Sequence, residues 1–145
     1  MLVRFKKINP KASIPTYGSS YAAGCDLSAC IDQAISIPPH TTIKVPTGLA
    51  IELPENTVGL IYARSGMATK RHLAPANKVG VIDADYRGEI IVALHNHSEE
   101  AQTIEVGERI AQLVVAPFYH VEFEEVDELS ETVRGEGGFG STGTK

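Results

Sequence analysis

Glycine and proline interrupt this chain so often that a fold built from long helices is excluded. The sequence contains 13 glycines and 8 prolines, spread along its length rather than gathered in one region. The stretches between them are short and rich in valine, isoleucine, threonine and tyrosine, a pattern typical of β-strands. These predicted strands are TTIKV (41–45), GLAIEL (48–53), TVGLIYA (57–63), EIIVALHNH (89–97), AQTIEV (101–106) and RIAQLVVAPF (109–118). The sequence therefore predicts an all-β protein.

One segment is predicted to be helical. After Arg64 the residues SGMATKRHLA tolerate a helix of about two turns, and Ser65 is placed to cap it. Many short strands with one short helix favour a sandwich or jelly roll. We predict a distorted jelly-roll-like β-barrel or sandwich with one short helix and a flexible glycine-rich C-terminal tail.

Size and charge exclude several classes of protein. A chain of 145 residues buries enough surface for one core, and Cys25 and Cys30 imply no disulfide framework. The net charge of −5 argues against a broad nucleic-acid-binding surface. There is no apolar run of the roughly 20 residues needed to cross a membrane, and no secretory signal precedes Pro10. We expect a cytoplasmic protein with no nucleic-acid partner and no membrane partner.

The composition changes near the C-terminus. Residues 122–131 include six acidic side chains, and residues 135–143 include five of the 13 glycines. We predict a β core over residues 1–121, an acidic linker over 122–133 and a mobile tail over 134–145. The tail also contains arginine, phenylalanine and hydroxyl side chains that suit a nucleobase and phosphates. A disordered terminus without a function is the alternative.

The predicted start of the helix is a candidate anion site. Arg64, Ser65 and Gly66 offer a guanidinium, a hydroxyl and unhindered backbone amides at adjacent positions. A simple capped helix with a charged surface is the alternative.

The segment GVIDADYRGEI (80–90) is a candidate catalytic site. It places two carboxylates, Asp83 and Asp85, immediately before Tyr86, and one of them is a candidate general base. A hairpin turn explains the same residues, because aspartate and glycine are common in such turns. The two interpretations are compatible, since functional residues often lie on loops.

Five segments together resemble the signature motifs of the homotrimeric dUTPases, in the same order. They are AGCDLSA (23–29), RSGMA (64–68), GVIDADYRGEI (80–90), GERIAQLV (107–114) and RGEGGFGSTG (134–143). The resemblance implies a homotrimer whose active sites are shared between subunits. It also implies Mg²⁺-dependent hydrolysis of dUTP to dUMP and diphosphate, which limits uracil incorporation into DNA and supplies dUMP for dTMP synthesis.

The resemblance assigns catalytic and phosphate-binding roles to individual residues. It implies that Asp83 is the general base, activating a water that attacks the α-phosphorus in line with the leaving diphosphate. Asp26 is similar to the family's acid that contacts Mg²⁺ through water, while the substrate phosphates hold most of the ion. The implied phosphate-binding residues are Arg64, Ser65, Gly66 and Gln112.

The resemblance also assigns the residues that bind the nucleoside and the residues of the tail. Asn77 matches the position in a hairpin that recognises uracil, with the backbone of Val79 and Gly80 contributing. Tyr86 is similar to the aromatic floor beneath deoxyribose that leaves no room for a 2′-hydroxyl. The implied residues of the tail that closes over the site are Arg134, Phe139, Gly140, Ser141 and Thr142, with Phe139 over uracil.

Two alternatives to dUTP hydrolysis are open at this point. A dCTP deaminase of the same fold needs a glutamate downstream of the third motif. Glu89 is the nearest acid after Asp85 but stands in the wrong place, and the sequence Asp-Tyr-Arg-Gly (85–88) favours the dUTPase. A catalytically silent dUTP-binding regulatory module is the other alternative. The presence of both Asp83 and the complete tail favours the hydrolase.

Overall fold

The computed structural model describes residues 1–138, in which twelve β-strands and one helix are present. The first six strands are β1 (Arg4–Lys7), β2 (Thr16–Tyr17), β3 (Cys25–Ser28), β4 (Ile35–Ile37), β5 (Thr42–Pro46) and β6 (Leu49–Glu52). After β7 (Thr57–Tyr62) come the helix α1 (Ser65–Arg71), β8 (Leu73–Pro75) and β9 (Gly80–Ile82). The last three strands are β10 (Ile91–Asn96), β11 (Gln102–Ile104) and β12 (Arg109–Pro117). The helix has seven residues, so no helix within residues 1–138 is long enough to cross a membrane.

The strands form four antiparallel sheets around a single apolar core. The largest sheet has the order β2-β3-β12-β7-β9, and a second has the order β5-β10-β8. Two-stranded sheets are formed by β1 with β6 and by β11 with β4. All four sheets, through every strand except β1 and β2, contribute buried side chains to one core cluster. Within residues 1–138 the sheets do not close into one barrel, and the predicted jelly-roll-like all-β fold is confirmed.

The strand predictions are confirmed where the sequence is apolar. The six predicted runs correspond to β5, β6, β7, β10, β11 and β12, and the predicted helix is α1. The sequence did not predict the other six strands, which are only two to four residues long. The strand β1, for example, has the sequence RFKK and all four residues are exposed, so no apolar pattern identifies it.

The two loops that flank β9 are not the hairpin turns that were expected from the sequence. The strand β8 pairs with β10, whereas β9 pairs with β7. Residues 76–79 and 83–90 therefore connect strands of different sheets rather than two strands of one hairpin. Both loops lie where the two larger sheets meet, and this brings Asn77 and Asp83 to the same part of the surface.

A fully buried asparagine fixes the end of β10. The side-chain amide of Asn96 donates to the carbonyl oxygens of Ile37 (3.0 Å), Pro38 (3.2 Å) and Glu100 (2.7 Å). Its oxygen accepts from the backbone amide and the hydroxyl of Ser98, at 2.9 and 2.7 Å. One side chain therefore makes hydrogen bonds to backbone groups in two loops that contact the core.

We expect Asn96→Ala to lower the free energy of unfolding by about 3 kcal/mol, because each buried carbonyl that loses its donor costs roughly 1–3 kcal/mol. Urea unfolding followed by circular dichroism measures the change. The matched control is Ser98→Ala, which removes hydrogen bonds at a partly buried position and is expected to cost about 1 kcal/mol. Equal losses for the two variants would contradict the role given to Asn96.

The chain leaves the core at the end of β12. The amide of Phe118 donates to the carbonyl oxygen of Asn56 at 3.1 Å. From there to residue 138 the structure contains no strand or helix, and the side chains of residues 119–136 are exposed. The division into a core, a linker from residue 122 and a tail from residue 134 stays a prediction.

Candidate active site

A pocket of about 220 Å³ lies between β7, β9 and the two loops that connect the sheets. Three of the predicted site side chains line it, namely Asn77, Asp83 and Tyr86, together with Gly80. The rest of the lining is mostly apolar and consists of Ile61, Val81, Ile82, Glu89, Ile90 and Ile91. Within residues 1–138 no side chain donates a hydrogen bond to the carboxylate of Asp83, which is therefore free to bind water.

The turn before β9 shapes one wall of this pocket. The amide of Lys78 donates to the Pro75 carbonyl (3.0 Å), and the amide of Val79 donates to the Asn77 carbonyl (2.6 Å). Lys78 adopts a left-handed conformation with φ of 58°. A methyl group at Gly80 would lie 3.2 Å from Asn77 Nδ2. Glycine at position 80 thus lets the asparagine pack closely against the backbone of β9.

Tyr86 is fixed by the loop that contains it. Its amide donates to the Asp83 carbonyl (3.1 Å), which closes a tight turn, and its hydroxyl donates to the Glu89 carbonyl (3.0 Å). A Cβ atom at Gly88 would lie 2.5 Å from Cζ and 2.9 Å from Cε2 of the ring. Only glycine at position 88 therefore permits this ring position.

The loop is attached to β6 by hydrogen bonds that the sequence did not predict. The carboxylate of Glu89 accepts from the amide of Gly48 at 2.7 Å. The Ile90 carbonyl accepts from the hydroxyl of Thr47 at 2.7 Å, and the Ile90 amide donates to the Leu49 carbonyl at 2.7 Å. One carboxylate oxygen of Glu89 thus supports the loop structurally.

A second group of predicted residues lies on the face of β3 and β12 next to the start of α1. Asp26 is directly opposite Gln112 in the ladder, and Gln112 is in turn opposite Tyr62. Arg64 Nε donates to Asp26 Oδ1 at 2.8 Å. The other carboxylate oxygen, Oδ2, accepts from Arg109 Nη1 at 3.0 Å. The role of Arg109 was not predicted from the sequence, because its side chain reaches Asp26 across two strands that are far apart in the sequence.

The start of α1 differs from the prediction in one detail. The N-cap residue is Arg64, without a side-chain cap, and Ser65 is the first residue of the helix rather than its cap. The Ser65 carbonyl accepts from the hydroxyl of Thr69 at 2.7 Å. No acidic residue lies in the first turn of the helix.

Gln112 connects β12 to the residue before Arg64. Its Nε2 donates to the Ala63 carbonyl at 2.9 Å. A methyl group at Gly24 would lie 2.7 Å from Gln112 Oε1, so glycine at position 24 provides the space for this amide. Beside it, burial raises the pKa of the Cys25 thiol, which donates to the Leu113 carbonyl. This cysteine therefore stays protonated near neutral pH and is no nucleophile.

The two groups are separate within one chain. None of the residues Asp26, Arg64, Ser65, Gly66 and Gln112 lines the pocket that contains Asp83. Arg134 belongs to neither group, because its Nε donates to the Gly137 carbonyl (2.7 Å) in a local turn. The predicted tail residues Phe139, Gly140, Ser141 and Thr142 lie outside the described residues.

The donor set at Asp26 suits a cation held through water but not a direct chelate. Within residues 1–138 there is no group of three or more His, Cys, Asp and Glu side chains that would hold a metal ion. The Asp26 side chain is 15% exposed, and each of its oxygens accepts one arginine hydrogen bond. Because a carboxylate has about four lone-pair sites, capacity remains for a water molecule bound to Mg²⁺.

Comparisons with known proteins identify the family and the fold of this chain. The sequence model of the dUTPase family matches residues 10–143. A deoxyuridine 5′-triphosphate nucleotidohydrolase of Desulfitobacterium hafniense is 54% identical over 131 residues, which cover 90% of this chain and 87% of the relative.

Solved structures extend the comparison. A mutant dUTPase of Staphylococcus bacteriophage 80alpha, solved with dUpNHpp, has a TM-score of 0.90 and 29% identity over 98% of each chain. A mutant dUTPase from phage phi11 of S. aureus, with a structural Mg(II) ion, has a TM-score of 0.81. At 23% identity, with 90% of this chain and 100% of the other covered, this second likeness concerns the fold alone. The match of the family model over most of the sequence, together with the relative at 54% identity, shows that this chain belongs to the dUTPase family.

Proposed function

We propose that this protein hydrolyses dUTP to dUMP and diphosphate, with Asp83 as the general base. The observation that carries the proposal is the free Asp83 carboxylate beside Asn77 and Tyr86 in one pocket. The separate group of Arg64 and Gln112 supplies donors for phosphate oxygens. This division into a nucleoside pocket and a phosphate-binding group matches a substrate that has both parts.

In the proposed mechanism Asp83 accepts a proton from a water molecule as that water attacks the α-phosphorus. The diphosphate leaves on the opposite side, and its growing negative charge requires hydrogen-bond donors that are already in place. Arg64, the amides of Ser65 and Gly66, and the amide of Gln112 are these donors. Because the protein has a net charge of −5, attraction of the substrate depends on such local donors rather than on overall charge.

We propose that Mg²⁺ is the cofactor, held mainly by the substrate phosphates and contacting Asp26 through water. The cation neutralises phosphate charge and favours departure of the diphosphate. The remaining lone-pair capacity of Asp26 supports this outer contact.

Uracil recognition is assigned to the turn from Asn77 to Gly80. The Asn77 side chain and the backbone of Val79 and Gly80 together contact the base. Backbone donors and acceptors distinguish the uracil carbonyl from the amine of cytosine, and a close wall excludes the methyl group of thymine. Tyr86 lies under deoxyribose and leaves no space for a 2′-hydroxyl. Its hydrogen bond to Glu89 supports this assignment because the bond holds the ring in place.

We propose that the active unit is a homotrimer in which the nucleoside pocket of one subunit faces the phosphate-binding group of another. Support comes from the separation of the two groups within one chain. The tail of a third subunit would then close over the site. It would place Phe139 over uracil, and Arg134, Gly140, Ser141 and Thr142 near the phosphates. The exposed segment after Phe118 provides the length for such a crossing.

A cytoplasmic enzyme of this kind limits uracil incorporation into DNA and supplies dUMP for dTMP synthesis. The direct test is diphosphate release in the presence of Mg²⁺, with dUTP, dTTP, dCTP and UTP offered in parallel. Hydrolysis of dUTP alone is the expected result, with a mass near three subunits in light scattering. Tight dUTP binding without turnover would instead indicate a regulatory module, and ammonia release from dCTP would indicate a deaminase.

Gly88 provides a test of the sugar-binding role of Tyr86. We expect Gly88→Ala to displace the ring, to lower kcat/KM for dUTP about 10-fold, and to reduce the preference for dUTP over UTP. Parallel kinetics with both nucleotides measure the two effects. The matched control is Gly18→Ala, because a methyl group there meets no atom within 4 Å. A Gly88→Ala enzyme with unchanged nucleotide preference would argue against Tyr86 as the sugar-discriminating residue.

A further inference from the structure

We propose that Arg109 is a positioning residue, which holds Asp26 so that Arg64 presents its terminal nitrogen Nη2 to the substrate phosphates. This inference rests on the proposed function and adds to it a residue that the sequence analysis did not assign. Arg109 is the only other arginine within residues 1–138 that contacts the Asp26 carboxylate. Four observations carry the inference.

The first observation is a β-bulge that places Arg109 on the site face of the sheet. Gln112 pairs with Asp26 and Ala111 pairs with Leu27, but Arg109 pairs with Ser28, so Ile110 is an extra residue in β12. In a regular ladder Arg109 would be opposite Ala29 and its side chain would point to the other face. The bulge moves it to the face of Asp26, while Ile110 and Ala111 are both buried.

The second observation is that the two oxygens of the Asp26 carboxylate bind two different arginines. Arg64 contacts Oδ1 through Nε at 2.8 Å, and Arg109 contacts Oδ2 through Nη1 at 3.0 Å. Arginine and carboxylate otherwise favour a pair of parallel hydrogen bonds. With Arg109 at Oδ2, Arg64 makes one hydrogen bond to this carboxylate, through Nε. Its Nη2 therefore remains available for a phosphate oxygen.

The third observation is the balance of charge in this cluster. Asp26 alone would neutralise Arg64, but Arg109 adds a second positive charge, so the three side chains together are positive. Without Arg109 the carboxylate is free to accept a second hydrogen bond from Arg64. That arrangement would withdraw Arg64 from the phosphates and leave a neutral pair in their place.

The fourth observation is that the backbone of Arg109 is itself fixed near Arg64. Arg64 Nη1 donates to the Arg109 carbonyl at 3.3 Å, and the amide of Ala29 donates to the Glu108 carbonyl at 2.8 Å. Arg71, in the last turn of α1, contacts the carboxylate of Glu108. The helix that begins after Arg64 thus contacts Glu108, the residue before Arg109. The same set of contacts therefore fixes the backbone near both arginines.

The test compares Arg109→Gln and Arg109→Lys with the wild-type protein. For Arg109→Gln we expect KM for dUTP to rise about 10-fold with kcat within about threefold, a typical effect of removing a group that orients a ligand. Calorimetry in EDTA should show an equal loss of affinity for dUpNHpp. Lysine keeps the charge and should restore part of both values. Thermal unfolding should be nearly unchanged, because the Arg109 side chain is 58% exposed.

The matched control is Arg4→Gln, which removes an exposed ion pair with Glu52 at 2.9 Å that shares no residue with this cluster. Unchanged affinity for dUpNHpp in Arg109→Gln would overturn the inference, and so would a fall in kcat with unchanged KM. Binding of inorganic tripolyphosphate in EDTA separates this inference from the proposed function. A wild-type protein that does not hydrolyse dUTP refutes the function, whereas equal tripolyphosphate affinity in wild type and Arg109→Gln refutes the role of Arg109.

Discussion

Asp83→Asn is expected to lower kcat for dUTP by about 10³-fold, since a positioned general base contributes roughly 10²- to 10⁴-fold. Asparagine has nearly the same shape and keeps its place in the pocket, but its amide does not accept the proton of the attacking water. The main-chain bond between the Asp83 carbonyl and the Tyr86 amide is unaffected by the change. Affinity for dUpNHpp should therefore stay close to the wild-type value. Steady-state kinetics and calorimetry measure the two quantities.

The neighbouring carboxylate provides the control for this change. Asp85 is two residues away and exposed, and it does not line the pocket. Asp85→Asn should thus retain most of the activity, although it removes the same charge from the same loop. If Asp83→Asn kept wild-type kcat, or if Asp85→Asn lost as much as Asp83→Asn, Asp83 would not be the base.

The same variant also tests whether sites are shared. If the pocket of one subunit faces the phosphate-binding group of another, chains with Asp83→Asn and chains with Arg64→Gln complement each other. In randomly mixed trimers about a quarter of the sites combine an intact pocket with an intact phosphate-binding group. Each variant alone should be nearly inactive, and the mixture should recover about that fraction of wild-type activity. A mixture without recovery would place both groups in one chain's site.

The strands and the candidate site differ in how far the sequence determines them. Apolar runs such as that of β12 predict a strand because alternate side chains must be buried on one face. By contrast, β1 is identified only by its pairing with β6, which depends on residues about 45 positions later. The motifs predicted that Asp26 belongs to the site. Its contact with Arg109, however, exists only once β3 and β12 are paired.

One local signal for Arg109 is nevertheless present in the sequence. In RIAQ, the two adjacent apolar residues Ile110 and Ala111 interrupt the alternation expected of a strand. Such an interruption is typical of a bulge, and a bulge moves the polar residues before and after it to the same face. The interrupted alternation that indicates the bulge is thus present in the sequence. The partner that Arg109 contacts on that face is determined only by the pairing of strands in the sheet.

Deleting residues 134–145 is expected to lower kcat/KM for dUTP by about 10²- to 10³-fold, a loss comparable with that of donors to a developing oxyanion. The proposed tail supplies Arg134 and the hydroxyls of Ser141 and Thr142 to the phosphates, and it excludes bulk water from the site. Unfolding of the core should be unchanged, because the hydrogen bond recorded for the Arg134 side chain lies within its own turn. Kinetics and thermal unfolding of the shortened chain measure both results. A chain ending at residue 143 is the matched control, since it keeps every residue with an assigned role. An unchanged kcat/KM after the longer deletion would refute a closing role for the tail, and a destabilised core would show that these residues support the fold instead.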